Sequence, residues 1–295
     1  MLPMITFKNV SKQFFNQSYG LKDVSFTIEP GEIALVTGPT GSGKTTLMRL
    51  LTKEYQPTSG QIIFNQTPLE EIKGNLLPQH RRQIGIVFQD YQLLPEYNTW
   101  ENVALPLSIA GKKEEKIEER VTDLLQLVGL TDKAELFPRE LSGGEAQRVG
   151  IARALATAPP VLFADELTGN LDQDTALDII QLLKKINQLE TTVLIATHDV
   201  VVMEALKEIR KIELDDGKLV AGAQEIPRDE DGENEDENED EKEEEEDGEN
   251  EDEEKKEEVE KEEVEKDEEK EKKKEKKKIK LPKFKIGLKK KETKA

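Results

Sequence analysis

Apolar positions in the first 65 residues recur at short, strand-like spacing. Residues 5–10 (Ile-Thr-Phe-Lys-Asn-Val) alternate in character, and residues 21–28 do so again, with Leu21, Val24, Phe26 and Ile28 apolar. Pro30-Gly31 is a turn signal. Ile33-Ala34-Leu35-Val36 is an unbroken apolar run, the pattern of a strand buried on both faces. It enters a glycine-rich stretch at 38–43. Residues 44–53 then place Leu47, Leu50 and Leu51 on one side of a helix. Residues 57–60 break that helix, and Ile62-Ile63-Phe64 reads as a further strand.

From 91 to about 158 the periodicity is mainly helical. Ile117, Val121, Leu124, Leu125 and Val128 predict a helix over 113–128, and Val149, Ile151, Ala152 and Leu155 predict one over 144–156. Val161-Leu162-Phe163-Ala164 is a buried strand, 174–189 a helix, and Thr192-Val193-Leu194-Ile195-Ala196 another buried strand. Strands alternating with helices predict a mainly parallel α/β sheet.

Composition then divides the chain. Of its net charge of −20, residues 228–295 carry −12, so the first 227 residues are only mildly acidic. Segment 229–271 holds 30 acidic and 6 basic residues and almost nothing apolar, which predicts a disordered segment that cannot offset its ordering entropy. Over 272–291 the sign reverses, with 12 lysines interleaved with Ile279, Leu281, Phe284, Ile286 and Leu288. The expected organisation is a folded domain at 1–222, an acidic linker at 223–271 and a Lys-rich tail at 272–295. With no cysteine, disulfides and thiolate metal sites are excluded. The start of the chain lacks a basic region followed by an apolar run, and no stretch of about 18 apolar residues occurs, so neither a signal peptide nor a membrane span is expected.

The chemistry begins at Gly38-Pro39-Thr40-Gly41-Ser42-Gly43-Lys44-Thr45, a P-loop pattern with a strand before it and a helix after it. Such a loop turns backbone N–H groups toward phosphate oxygens, and the helix N-terminus adds partial positive charge. Lys44 is placed to reach the β- and γ-phosphates of ATP, and the Thr45 hydroxyl to bind Mg²⁺. The apolar strand at 161–164 ends in Asp165-Glu166. That pair supplies a metal-holding carboxylate (Asp165) and a group to orient or deprotonate water (Glu166).

Leu141-Ser142-Gly143-Gly144-Glu145, followed by Gln147-Arg148, resembles the signature motif of the ABC (ATP-binding cassette) superfamily. The same residues also read as a capping box, with Ser142 as N-cap and Glu145 three positions on. The resemblance spans about residues 4–221. It implies a P-loop NTPase fold, the ABC nucleotide-binding domain, with an antiparallel β subdomain and a helical subdomain. It also implies a Mg-dependent ATPase working as a homodimer, in which Ser142, Gly143 and Gly144 of one subunit meet the ATP held by the other. Gln89 matches the glutamine that senses Mg²⁺, Asn170-Leu171-Asp172 the loop at the dimer seam, and His198 the switch histidine at the γ-phosphate. Phe14 stands where the family places an aromatic that stacks on adenine, although Phe14 and Phe15 could equally be core residues. The nucleotide contacts so implied are Phe14, residues 38–46 including Thr46, Ser142, Gly143, Gly144 and Asp172. Thr45, Gln89 and Asp165 are the implied metal contacts, and Glu166, His198, Lys44 and Gln89 the catalytic set. Leu167 replaces the usual Pro after the Asp-Glu pair, which is expected to loosen that loop while removing no catalytic group.

Within the superfamily, the passages 81–90, 102–107 and 164–172 resemble the cell-division family FtsE. This implies a polytopic membrane partner of the FtsX type at the cytoplasmic face of the membrane. Lipoprotein-releasing and macrolide-exporter motors share much of this wording and form the alternative. A DNA-repair or chromosome ATPase is not expected: residues 44 to 165 have no room for a coiled-coil insert, and no basic surface for nucleic acid is evident. The Lys-rich tail has the composition of an anionic-lipid contact. Leu93, Leu94 and Trp100, beside Gln89, suggest a groove for a partner's cytoplasmic helix.

Overall fold

The computed structural model describes residues 2–169 and 171–222; the acidic linker, the Lys-rich tail and Asn170 lie outside the described residues. Along the chain run β1 (Ile5–Gln13), β2 (Tyr19–Ile28), β3 (Ile33–Thr37), α1 (Lys44–Leu51), β4 (Ser59–Phe64) and the short β5 (Thr67–Pro68). Then follow α2 (Leu77–Arg81), β6 (Ile84–Val87), α3 (Thr99–Ile109), α4 (Glu114–Leu127), α5 (Gly143–Ala154) and β7 (Val161–Asp165). The last elements are α6 (Gln173–Asn187), β8 (Thr192–Thr197), α7 (Val200–Ala205), β9 (Arg210–Asp215) and β10 (Lys218–Ala221).

The early alternating segments form a four-stranded antiparallel sheet in the order β2-β1-β4-β5. Phe7 and Phe26, opposite each other across β1 and β2, stack with ring centroids 4.7 Å apart. The unbroken apolar runs form the second sheet, in the order β10-β9-β3-β8-β7-β6, parallel throughout except for the β9–β10 pair. Residues 161–164 of β7 and 34–36 of β3 are fully buried, as a parallel strand covered on both faces requires. One apolar core holds Leu47, Leu50 and Leu51 of α1 together with Phe7, Val24 and Phe64 of the first sheet and Val36, Phe163 and Leu194 of the second.

The helical stretch between β6 and β7 contains three α-helices. α4 and α5 fall where periodicity places them. α3 does not announce itself by period, because apolar residues surround it (Val103, Ala104, Leu107, Ile109). Its start is fixed by a capping box: Asn98 Oδ1 accepts from the Glu101 amide at 2.8 Å, and Glu101 Oε2 accepts from the Asn98 amide at 2.9 Å. Beyond β8 the pattern reading assigns nothing, yet α7, β9 and β10 are formed. The β9–β10 hairpin turns at Asp216-Gly217, both with positive φ, a dipeptide suited to a two-residue turn. Among the described residues no helix is long and apolar enough to cross a membrane.

Candidate nucleotide-binding site

Strand order brings the motifs together. β8 lies between β3 and β7, with Thr37 opposite Thr197 and Asp165 opposite Ala196. The chain therefore leaves β3 into loop 38–43, β7 into Glu166 and β8 into His198 along a single edge of the sheet. This is the carboxyl edge, where open parallel sheets take their ligands.

The loop is shaped by its glycines. Gly38 has φ 142°, and a Cβ there would stand 2.1 Å from the Leu214 carbonyl oxygen; Gly43 has φ 109°, and a Cβ there would stand 2.4 Å from the Gly20 carbonyl oxygen. Neither position admits a side chain. The first turn of α1 carries no acidic residue of its own to offset its positive end. Lys44, buried at its base, donates from Nζ to the carbonyls of Gly38 (2.8 Å) and Pro39 (3.0 Å). Phe14 is half-buried, its ring edge-on to Tyr55 with centroids 5.5 Å apart. A Cβ on Gly20 would meet both Phe14 Cε2 (2.7 Å) and Thr46 Cγ2 (2.8 Å), so Phe14 reaches the first turn of α1, whereas Phe15 is fully exposed.

Glu166 is the hub. Its Oε1 is 2.9 Å from His198 Nδ1 and 3.5 Å from Lys44 Nζ. Its backbone is in the left-handed region (φ 48°), held by its amide donating to the Ala196 carbonyl at 2.9 Å. Asp165 Oδ2 accepts from the Thr45 hydroxyl at 3.3 Å, while Asp165 Oδ1 is buried without a partner. Burial pushes the Asp165 carboxyl above the usual carboxylate range; the Thr45 hydrogen bond opposes the shift and the nearby Glu166 charge adds to it.

Gln89 follows β6 with its amide against Gly169: a Cβ on Gly169 would lie 3.1 Å from Gln89 Nε2. Ser142, Gly143 and Gly144 stand apart, at the start of α5. Both halves of the expected capping box form: Ser142 Oγ accepts from the Glu145 amide (3.3 Å) and Glu145 Oε2 from the Ser142 amide (2.8 Å). That amide bond holds the Glu145 carboxyl below its usual range. Asp172 caps α6, with Oδ1 accepting from the Thr175 amide at 3.0 Å. The two helix starts touch, since a Cβ on Gly144 would fall 2.4 Å from Thr175 Cγ2. Among the described residues no hydrogen bond or ion pair links residues 142–144 or Asp172 to loop 38–46.

A family model described as ABC transporter matches residues 21–169. The chain belongs to the ABC transporter family. It is 45% identical over 217 residues to the Cell division ATP-binding protein FtsE of Bacillus subtilis, covering 74% of this chain and 95% of that one. It is 44% identical over 219 residues to the FtsE of Escherichia coli, covering 74% and 98%. Among solved structures, a dimeric post-hydrolysis state of the ATP-binding cassette MJ0796 bound to ADP and Pi matches with a TM-score of 0.66 and 36% identity, over 74% of this chain and 97% of that one. The present cassette is thus an ATP-binding, ATP-hydrolysing subunit of the ABC type.

Several residues that shape the cassette's site carry no mark in the sequence. The Gly217 amide donates to the Ser42 carbonyl at 3.2 Å, and the Lys22 amide to the Gly217 carbonyl at 2.7 Å, so the β9–β10 hairpin props the phosphate loop from outside. Buried Asn102 of α3 ties the segment after Gln89 by exchanging hydrogen bonds with Leu94 (2.9 and 3.1 Å) and donating to the Tyr97 carbonyl (2.9 Å). The loop around Leu167 has ties of its own: Leu167 is buried, the Gly169 amide donates to the Glu166 carbonyl (3.3 Å), and the Thr168 hydroxyl donates to Asp199 Oδ2 (2.9 Å).

Proposed function

We propose that this cassette hydrolyses Mg-ATP at a site shared by two copies packed head to tail. In this reading it serves an FtsX-like membrane partner at the cytoplasmic face, in cell division and cell-wall remodelling. The observation that carries the reading is the convergence of Lys44, Glu166, His198, Asp165 and Thr45 at one sheet edge, with Ser142 and Gly143 exposed elsewhere on the same chain. The matched cassette is described as a dimer, and the curated relatives are named for cell division.

In the proposed chemistry, N–H groups of loop 38–46 hold the phosphates, Lys44 exchanges its two carbonyl partners for phosphate oxygens, and Phe14 stacks on the adenine. The site fits a magnesium ion, for Asp165 Oδ1 is a buried acceptor with no protein partner and Thr45 Oγ1 lies on the other carboxylate oxygen. Asp165, Thr45 and Gln89 would hold the ion, which when bound neutralises charge on the β- and γ-phosphates. Glu166 takes a proton from the attacking water as its oxygen bonds to the γ-phosphorus. The bond to the bridging oxygen breaks, and ADP leaves with its electron pair. His198 Nδ1 holds Glu166 in place. Ser142, Gly143 and Gly144 of the second copy, with Asp172 at the seam, close on the γ-phosphate. ATP is thereby the bridge that closes the dimer, and loss of phosphate opens it.

Solution mass of the Glu166→Gln chain with and without Mg-ATP tests this. Conversion of monomer to dimer by ATP, abolished by Ser142→Arg, is expected. ATP binding that leaves a monomer, even with the membrane subunit present, overturns the shared site.

Half-buried Leu93, Leu94 and Trp100, beside Gln89, are the proposed seat of the partner's cytoplasmic helix. Unchanged partner binding by Leu94→Asp and Trp100→Ala removes that assignment. The alternative role, as motor of a lipoprotein-releasing or macrolide-type exporter, uses the same ATP site, and the membrane subunit that co-purifies decides between them. The Lys-rich tail is proposed to touch anionic lipid, at roughly 1 kcal/mol per basic residue near the surface. The check is co-sedimentation of the full chain, with and without residues 272–295, on anionic vesicles.

A further inference from the structure

Two residues beyond Gln89 the backbone does something costly. Tyr91 (φ 59°) and Gln92 (φ 45°) are consecutive non-glycine residues in the left-handed region, which is uncommon for L-residues; the turn residues Asn65 and Gln66 form the other such pair among the described residues. Such a pair persists only where its surroundings over-determine it. Here α5 does so. Arg153, near its end, donates from Nη1 to the Gln92 carbonyl (2.7 Å) and from Nη2 to the Tyr91 carbonyl (2.9 Å). The first residue of the same helix meets the Tyr91 side chain: a Cβ built on Gly143 would lie 2.9 Å from Tyr91 Oη and 3.9 Å from Tyr91 Cζ. One helix thus holds Tyr91 by its carbonyl and abuts it at its hydroxyl.

Gly143 is the centre of the Ser142–Gly144 loop, and Gln89 belongs to the cluster around Glu166 and Gly169. We infer that Tyr91 is a positioning residue, a strut that sets the Ser142–Gly144 loop according to the state of the Gln89 segment. It thereby couples a subunit's own nucleotide to the loop that this subunit offers to its partner's nucleotide. The inference rests on the shared-site reading above. The sequence carries no motif for it, because its parts are 52 positions apart and nothing about a lone Tyr after Gln89 distinguishes it.

The geometry predicts an unusual pattern of non-additivity. Gly143 lies outside the glycine-only region of φ, so a methyl group there clashes first with the Tyr91 hydroxyl and pushes it away, with Leu171 Cδ2 at an ordinary contact distance of 3.4 Å. Removing Tyr91 removes the strut but also the conflict. In the full chain carrying Glu166→Gln, the dissociation constant of the ATP-bound dimer is measured by ultracentrifugation for Tyr91→Ala, Gly143→Ala and the pair. ADP affinity and melting temperature are followed in parallel. Expected are an increase of tenfold or more in the dimer constant for each single variant, ADP affinity within twofold of the parent for Tyr91→Ala, and a double variant no weaker than Tyr91→Ala alone. Tyr91→Phe keeps the ring, drops only the contacting atom, and is expected to relieve Gly143→Ala in the same way. Losses that add, or a Tyr91→Ala chain that loses ADP affinity in step with dimerisation, overturn the strut. Ser142→Arg is the control that separates the two ideas. If it leaves the dimer intact, the shared site itself is wrong; if it abolishes the dimer while Tyr91 and Gly143 behave independently, only the strut is wrong.

Discussion

Glu166 and His198, 32 positions apart, meet with Oε1 and Nδ1 at 2.9 Å. Each leaves the carboxyl end of a neighbouring strand, so parallel register alone sets their separation. Removing one member should therefore not disturb the fold. Glu166→Gln is expected to lower the turnover number by about 10²–10⁴-fold, the usual worth of a general base, with ADP affinity unchanged. His198→Ala should also lower turnover without affecting ADP affinity. Phosphate release and ADP titration check both.

Asp165 should be a liability to the fold until its ligand arrives. Its folded pKa lies above the ordinary 3.8 because the carboxyl is buried. A raised acid contributes stability that is fully present below the unfolded pKa and lost as pH rises through the folded value. At neutral pH Asp165→Asn is expected to raise the melting temperature by about 2–4 °C. The same variant should lose the further rise that Mg-ATP gives the parent. Thermal scans with and without Mg-ATP decide it.

His80 predicts an acid limit. It is buried, with Nε2 2.8 Å from the Leu51 carbonyl, and that carbonyl can only accept, so Nε2 carries the proton. Nδ1 is then a bare, buried lone pair without a partner. Burial lowers the pKa from 6.5; the Leu51 hydrogen bond opposes this, and the charges of Lys53 and Arg81 reinforce it. A depressed histidine leaves stability intact above the unfolded pKa and erodes it as pH falls from there to the folded value. Urea midpoints should decline below about pH 6.5, and His80→Leu should flatten that part of the profile.

Phe14 packs edge-on to Tyr55 and is the proposed stacking partner of the adenine. Phe14→Ala is expected to weaken ATP binding about fivefold, the ~1 kcal/mol of an aromatic stack, with little change in melting temperature. A large melting loss with unchanged ATP affinity would return Phe14 to the core.

Arg210 anchors β9. Nη1 pairs with Glu32 Oε1 at 2.9 Å and donates to the Thr27 carbonyl at 3.0 Å, while Nη2 donates to the Gly222 carbonyl at 2.9 Å. Both side chains are largely buried. Arg210→Ala should cost about 3 kcal/mol by leaving Glu32 buried and unpaired, read as a shift in urea midpoint. The double variant with Glu32→Gln should cost less.

The parts of the fold legible in the sequence are those with strong local signals. β3, β7 and β8 show as apolar runs because both faces are covered, and α4 and α6 show as periodic because one face is wet. Loop 38–45 is legible because its chemistry demands glycine at fixed places. α3 is opaque because a helix apolar all round has no period. β9 and β10 escape a reading by apolar pattern, although Asp216-Gly217 offers a usable turn signal. Tyr91, Asn102 and Arg153 are unmarked for a different reason: they are tied through backbone carbonyls, across 61 and 62 positions in the case of Arg153, and side-chain identity alone carries no trace of that.

The prop beneath the phosphate loop bears on where the chain can be cut. Every nucleotide motif lies before residue 199, and charge turns extreme only after 228, so composition would tolerate truncation anywhere between. Hydrogen bonding does not. A chain ended at 209 would keep all its signature residues yet lose the Leu214 carbonyl behind Gly38, the Gly217 amide on Ser42 and the Gly222 carbonyl on Arg210. The shortest chain expected to keep the phosphate loop propped therefore ends at Gly222, the last residue that Arg210 holds; ATP affinity of chains ended at 209 and at 222 checks it.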